Sequence, residues 1–405
     1  MIQLNHLEAK INEHCNYNCV ACNSYSNIAE QEVYNLDQYA MDINRVGELF
    51  DLVKEFLIVG GEPLLNKDIC DYMEITRRYL LDTKIYLYTN GVLLPKMGED
   101  FFQCVLENNV IIHISQYPEK MNETKLHDAK EILEKHSVEH HIVPVATFIT
   151  SMHFEQNPYD VQHTFDICRQ SVDCTNMYNG MIYICPRPFS LRHYDKRFGT
   201  SYARMDDGMP LHNSQTDGES ILSYLSKPVS TCQYCTPHRN YVKWQQGQAK
   251  KNDWQAISEN QHIISDIQDF ASIVDEAYWK TNTFYFDMTD STGKINNISM
   301  NDIHHLKDKP VYVWVHDFRC IWAFDLLYMG TNHYGIDIKG ILTPDSRVES
   351  ALHYMRKFNF KELPKFCYVL ILGSNENNAI GKAALTVRSL VRKGDRDGQI
   401  NILGS

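Results

Sequence analysis

Three cysteines stand near the N-terminus in the run Glu13-His14-Cys15-Asn16-Tyr17-Asn18-Cys19-Val20-Ala21-Cys22. Thiolates are metal ligands, and three on one short loop can hold three corners of a cubane iron–sulfur cluster. Such clusters normally take four cysteines. No fourth lies nearby, so one iron would stay open to a non-protein ligand. Two blander readings compete. Free cysteines are often simply buried, and a zinc knuckle would want a fourth Cys or His close by. His14, adjacent to Cys15, is poorly placed to supply it. A second group lies further on: Cys168, Cys174, Cys185, Cys232 and Cys235. Cys232 and Cys235 form a C-x2-C chelating pair, which zinc sites also use.

The apolar run Phe56-Leu57-Ile58-Val59 leads into Gly60-Gly61-Glu62-Pro63. By itself this is a turn signal. Behind the cysteine loop, in this order, it resembles the radical S-adenosylmethionine (SAM) enzymes. The resemblance implies a [4Fe-4S] cluster on Cys15, Cys19 and Cys22. It also implies SAM bound at the open iron, its amino group held by the backbone of the Gly60–Pro63 turn. Many such loops carry an aromatic before the third cysteine, over the adenine. Here that residue is Ala21, with Tyr17 or Tyr25 as substitutes. Thr89-Asn90-Gly91 and Ser115-Gln116-Tyr117 follow later strands, and the resemblance makes Thr89, Asn90 and Ser115 further SAM contacts. Thr89-Asn90-Gly91 is equally readable as a plain turn.

The elements that must carry these residues are legible in the hydrophobic pattern. Strands are expected over Leu7–Asn12, Glu55–Val59, Lys84–Tyr88, Val110–Ser115 and His141–Val145. Between them, Leu36–Val53, Asp71–Leu81, Phe101–Asn108 and Lys125–His136 have apolar residues at helical spacing. Repeated strand–helix units imply an α/β fold with a parallel sheet and right-handed crossovers. The resemblance implies a partial (β/α)6 barrel over residues 1–160. Each candidate residue then follows a strand, at the end where barrels place their sites.

Residues 161–250 change character. Asn179-Gly180 between Met177-Tyr178 and Met181-Ile182-Tyr183 is a hairpin signal, because a type I′ turn needs positive φ at both central residues. The hairpin delivers Cys185 at its end. This block resembles the shortened SPASM-type auxiliary-cluster module, called twitch, of some radical SAM enzymes. That module sets a cysteine, a glycine about a dozen residues on, and a cysteine after four more. Eleven residues separate Cys168 from Gly180 and four separate Gly180 from Cys185; only five separate Cys174 from Gly180. The resemblance therefore assigns a second [4Fe-4S] cluster to Cys168, Cys185, Cys232 and Cys235. Cys174 is left as a buried thiol, a substitute ligand or a hydrogen donor to substrate.

Composition sets outer bounds. Twelve cysteines in a chain whose start, Met1–His6, has no basic and apolar leader point to metal rather than disulfides, and to a cytoplasmic protein. No apolar run is long enough to span a bilayer. A formal charge of −12 argues against non-specific nucleic-acid binding.

Residues 251–308 read as a helix over 255–279 and a linker. Residues 309–405 return to α/β, with strands Val311–Val315, Ile336–Leu342 and Tyr368–Leu372 and helices Cys320–Tyr328 and Ser346–Phe358. This part resembles a Rossmann-like module of glycan-assembly proteins. Its first loop, His316-Asp317-Phe318-Arg319-Cys320, lacks the glycines a dinucleotide needs, which favours a docking, dimerisation or scaffold role over NAD binding.

A narrower resemblance, to radical SAM proteins of capsule and lipopolysaccharide gene clusters, rests on Cys15 through Ala29-Glu30, Gly60–Leu65, Thr89–Leu94 and Ser226-Lys227-Pro228. It implies a sugar or a nucleotide- or lipid-linked sugar as substrate, with flavodoxin or ferredoxin as external reductant. The expected activity is oxidation of an alcohol carbon. The alternatives are epimerisation with Cys174 as hydrogen donor, peptide modification, or a non-catalytic cluster-bearing scaffold.

Overall fold

The computed structural model describes residues 1–117, 123–145, 147–154, 159–168 and 170–256. Beyond these it describes 283–287, 295–297, 306–315, 336–352, 355–358 and 368–372, with a few single positions. The expected helix over 255–279, the helix Cys320–Tyr328 and the loop His316–Cys320 lie largely or wholly outside the described residues. The chain divides into two units, Met1–Ile263 and Ile264–Ser405.

In the first unit, β1 (Gln3–Lys10), β2 (Leu52–Val59), β3 (Lys84–Thr89), β4 (Val110–Gln116) and β5 (His140–Pro144) pair in parallel in that order. The connecting helices are α1 (Leu36–Leu49), α2 (Ile69–Tyr79), α3 (Glu99–Glu107) and α4 (Glu123–Lys135). Tyr39, Ile43, Val46 and Leu49 put one face of α1 into the core, the i, i+4, i+7 pattern of a helix packed on a sheet. Phe56, Ile58, Ile85, Leu87, Ile112 and Ile114 fill the same core from the strands.

The start of β1, the end of α1 and the start of β2, at Leu52 where Glu55 was expected, differ from the sequence expectation for one reason. Gln3 and Leu4 pair with Leu52 and Val53. The first strand therefore starts four residues early, and α1 must end at Leu49, with Phe50 already extended. The first strand also stops at Lys10, where the chain turns into the cysteine loop.

The hairpin forms where expected, β7 (Asn176–Tyr178) and β8 (Met181–Tyr183), with φ of 45° at Asn179 and 76° at Gly180. It continues the main sheet: β7 runs parallel beside β1, giving the order β5-β4-β3-β2-β1-β7-β8-β9, where β9 is Met209–Pro210. A (β/α)6 order would set the sixth parallel strand beside β5. Instead the next strand, β6 (Thr147–Met152), pairs antiparallel with β10 (Cys235–Lys243), and the sixth parallel strand is β7 on the far side of β1. Helices α5 (Val161–Asp166) and α6 (Gln170–Asp173) precede the hairpin. Helix α7 (Arg187–Phe198) follows it and ends on Gly199 at φ 67°, a left-handed C-cap. Helix α8 (Gly218–Leu225) starts on an Asp217–Ser220 capping box.

The second unit contains a five-stranded sheet in the order β12-β11-β15-β13-β14. Its parallel centre is β13 (Val311–Val315), flanked by β14 (Ile338–Leu342) and β15 (Tyr368–Leu372). The stretch expected as linker supplies two of its strands, β11 (Thr283–Asp287) and β12 (Ile295–Asn297), because Phe284-Tyr285-Phe286 is a strong β-former that pairs with β15. The helix expected over Ser346–Phe358 ends at Ala351. After it, the backbone of Arg356 and Phe358 bonds to Ile341, and edge pairing takes the place of further helix. No helix among the described residues is long and apolar enough to cross a membrane.

Candidate functional site

The cysteine loop leaves β1 and is held from three sides. On the first, the Gly60-Gly61 turn after β2 lies directly against it. Gly61 donates its N–H to Asn12 O (3.0 Å) and Glu62 to His14 O (3.1 Å). A Cβ on Gly61 would stand 2.1 Å from His14 O, and one on Gly60 would stand 2.6 Å from Asn12 Oδ1. Glycine is demanded here by backbone contact, not by φ. Asn12 Nδ2 closes the junction with bonds to His14 O and Glu62 O.

On the second side, Asn90 Nδ2 donates to Asn16 Oδ1 (2.7 Å), tying the turn after β3 to the loop. Glu62, 1% exposed, links the β2 and β3 turns. Its carboxylate accepts from Leu64 N, Thr89 Oγ1 (2.6 Å) and Asn90 N (2.8 Å). Burial pushes its pKa up to about 7 even against these three donors.

On the third side, the segment after β10 pairs with the loop. Val20 N bonds to Gln245 O and Gly247 N to Asn18 O. Trp244 donates its indole N–H to Cys19 Sγ (3.2 Å), and Trp254 donates to Cys22 O (2.8 Å).

Cys15, Cys19 and Cys22 line one cavity of about 190 Å³. Tyr17, Gly60, Gly61, Thr89, Asn90 and Ser115, all sequence candidates, share its wall, and so do Ser24, Ser26, Tyr117 and Phe148. Glu62 and Pro63 stand behind the wall. Tyr17 and Tyr25 part company: Tyr17 faces the cavity, while Tyr25 stacks on Trp254 in a separate core cluster. The Tyr17 hydroxyl and Ser26 Oγ are buried with no protein partner. Burial pushes the Cys15 and Cys19 thiols up to about 12, with Glu62 adding to the effect at Cys15 and the Trp244 N–H opposing it at Cys19. Among the described residues no three His, Cys, Asp or Glu side chains are grouped as a single bound ion would require. The three thiols border a cavity and do not close on a point.

The second cysteine group is assembled from separated segments. Cys168 follows α5, Cys185 ends the hairpin, Cys232 sits in a 3-10 turn (Ser230–Tyr234) and Cys235 opens β10. They are close enough to act on one another. Burial raises the Cys185 pKa well above the usual range, and Cys232, Cys235 and Cys168 raise it further. Burial brings Cys232 up to about 12, with Cys235 and Cys168 adding to it. Cys174, which closes α6 with its N–H on Gln170 O, is not among the residues lining the cavity. Among the other four thiols lies Arg187, 5% exposed, donating to Cys235 Sγ (2.9 Å) and Ser151 Oγ (2.7 Å).

Helix α7 connects the two groups. Arg187 begins it, and Arg192 and His193 further along both reach Glu13 at 3.0 Å. Lys10 also pairs with Glu13. Burial opposes ionisation of Glu13, yet Lys10, His193 and Arg192 together hold its carboxyl well below the usual range. Sequence reasoning missed Arg187, Trp244 and this network. Arg187 follows Cys185-Pro186, but a lone arginine reads as a surface residue, and no periodicity marks a partner across the fold.

Known proteins can be set beside this geometry. The chain is 30% identical over 101 residues to a GTP 3',8-cyclase of Desulforamulus reducens, covering 24% of this chain and 30% of that protein. It is 25% identical over 170 residues to a probable GTP 3',8-cyclase of Methanocaldococcus jannaschii, covering 41% and 56%. It thus spans only about a third to a half of these relatives' lengths. Among solved structures it is similar to BtrN in complex with AdoMet and 2-DOIA, with 14% identity, a TM-score of 0.34, and coverage of 56% and 88%. It is also similar to native anSMEcpe with bound AdoMet, with 23% identity, a TM-score of 0.30, and coverage of 35% and 44%. Residues 10–167, which hold the cysteine loop, the Gly60–Pro63 turn and the turns after β3 and β4, match the Radical SAM superfamily.

Proposed function

We propose that this chain is a radical SAM enzyme with a [4Fe-4S] cluster on Cys15, Cys19 and Cys22 and a second on Cys168, Cys185, Cys232 and Cys235. The observation that carries the reading is the shared cavity wall of three thiols, the Gly60-Gly61 turn and the Thr89-Asn90 turn. The buried, unpartnered Tyr17 and Ser26 hydroxyls fit it, since polar groups are rarely left so without a ligand. When bound, the first cluster and SAM supply methionine and a 5′-deoxyadenosyl radical that takes hydrogen from unactivated carbon. The electron comes from an external reductant of the flavodoxin or ferredoxin class.

The protein's own part is placement. Three thiolates would leave one coordination position for a ligand, and metal binding would release the thiol protons. The Gly60-Gly61 turn, packed without side chains against the cysteine loop, brings its backbone to the same cavity wall as the thiols. Tyr17, Tyr117 and Phe148 supply the aromatic part of the cavity wall.

The substrate is read as a carbohydrate, possible carriers being a nucleotide or a lipid, and the net reaction as oxidation of an alcohol carbon to a carbonyl. The electron balance is simple. For the reaction to balance, the reductant would supply one electron for each SAM consumed, and oxidation of the alcohol carbon would return one electron to the second site and release its hydroxyl proton to a base. The buried cation at the second site favours this acceptor role. Epimerisation would need a thiol at the substrate carbon, and Cys174 is not on the cavity wall. The matched GTP 3',8-cyclases share only part of their length with this chain, so GTP is not carried over. The second unit is read as a docking or dimerisation module, and the protein as cytoplasmic.

The test is anaerobic incubation of the reconstituted protein with SAM, a reductant and a panel of sugar nucleotides in heavy water. A product two mass units lighter than its substrate, formed with 5′-deoxyadenosine, supports oxidation. An isomer carrying one solvent deuterium at carbon contradicts it.

A further inference from the structure

Arg187 poses a physical problem. A guanidinium is always charged, and burying it costs several kcal/mol unless an anion compensates. Among the described residues no carboxylate pairs with it. Its two hydrogen bonds go to a thiol and a serine hydroxyl. The side chains around it are Cys235, Tyr25, Cys185 and Cys168, none of them a carboxylate. The described protein groups therefore give the buried guanidinium no carboxylate counter-charge.

A group that turns four thiols into thiolates supplies a counter-charge. A [4Fe-4S] core of charge +2 with four thiolates carries −2, and −3 after one-electron reduction. A cation at hydrogen-bond distance from a ligand sulfur stabilises both states, and the reduced one more. Hydrogen bonds to ligand sulfur and local charge are recognised determinants of cluster potential. At the first site the N–H···S donors are both neutral, the indole of Trp244 on Cys19 Sγ and the backbone N–H of Tyr17 on Cys15 Sγ.

We infer that Arg187 is the fixed counter-charge of the second cysteine site and raises its reduction potential above that of the first. This rests on the second-cluster reading given above. It makes α7 a positioning element, with Arg187 at its start on Cys235 and Arg192 and His193 anchored to Glu13 at the first loop. Electrons released by substrate then settle at the second site and do not return to the first.

The experiment uses the full-length chain with Cys15, Cys19 and Cys22 all changed to Ala, so that one cluster remains. Its midpoint is read by EPR during reductive titration, with arginine, Arg187→Lys and Arg187→Gln compared. The expected result is a fall of at least tenfold in the reduction equilibrium for Arg187→Gln, 59 mV for one electron, with Arg187→Lys in between. Loss of iron from Arg187→Gln with retention in Arg187→Lys also supports the inference, because charge then decides. Retention in both with less than a twofold change overturns it. So does loss from both, which would make guanidinium shape the requirement. A parent with no iron at all would instead sink the second-cluster reading on which the inference stands.

Discussion

The two cysteine groups solve different problems with the same side chain. The first is carried on one loop, pressed into shape by backbone contacts to Gly60-Gly61 and to the segment 244–247, and bordered by a cavity with unpartnered hydroxyls. The second is drawn from separated segments around a buried cation. Three thiols beside a polar cavity would suit a site that must admit another molecule. Four thiols around a fixed charge, on the proposed reading a full ligand set, would suit a site that must hold or pass an electron. Thiol count alone does not make this distinction; what surrounds the thiols does.

The comparison can be broken most sharply at glycine. Gly61→Ala puts a Cβ 2.1 Å from a backbone carbonyl, so the turn and the cysteine loop must separate. We expect SAM cleavage to fall by at least about a hundredfold, measured as 5′-deoxyadenosine, with iron at the second site kept. Gly180→Ala puts a Cβ at ordinary van der Waals distance, 3.5 Å from Gln38 Nε2 and 3.6 Å from His212 Cδ2, and adds the left-handed backbone cost, about 1–2 kcal/mol. It should lower the unfolding midpoint and leave uncoupled SAM cleavage within about twofold. Equal loss in the two variants would erase the contrast.

Membership of the second group is next. Cys168→Ala should lose about four irons and Cys174→Ala none, by iron and sulfide assay. The reverse pattern would move the ligand set.

The second unit should matter less. A chain ending at Ile263 keeps every residue of both groups, and its SAM cleavage without substrate should stay within about twofold of full length. A cut near residue 300 is the wrong one, because it would strand β11 and β12 away from their partner β15.

The smallest effect is a stability one. His113, on β4, stacks on the cavity-lining Tyr88 at 3.9 Å, and burial, helped by His141, lowers its pKa to about 4. Between pH 6.5 and about 4 the unfolded chain binds a proton that the folded chain refuses, so this contribution to stability is lost as pH falls through that window. His113→Gln should flatten the pH dependence of the urea midpoint there. An unchanged slope would show that His113 is hydrated and charged in the fold.

Much of this was legible in the sequence, for identifiable reasons. The strand–helix alternation and the Asn179-Gly180 hairpin follow from periodicity and turn chemistry, which are local, and the arrival of the first loop and the next three turns at one cavity was implied by the family resemblance. What failed was non-local. The start of β1 depended on pairing of Gln3 with Leu52. The placement of β7 beside β1, the backing of the cysteine loop by Trp244, and Arg187 among the second thiols all join positions far apart in the chain. Phe284-Tyr285-Phe286 was a readable strand signal, but its polar surroundings suggested a linker. The Glu62 carboxylate shows the same limit within a motif. Its position was plain, but its use in bonding the turn after β3 was not.

The central claim is that one cysteine group starts the chemistry and the other receives its electron. The most direct measurement compares two full-length variants after anaerobic reconstitution, one with Cys15, Cys19 and Cys22 changed to Ala, the other with Cys168, Cys185, Cys232 and Cys235 changed. The account predicts about eight irons in the parent and about four in each variant. 5′-Deoxyadenosine should form only in the second variant and the parent. A parent with about four irons and one zinc, or SAM cleavage surviving loss of the first group, would contradict it.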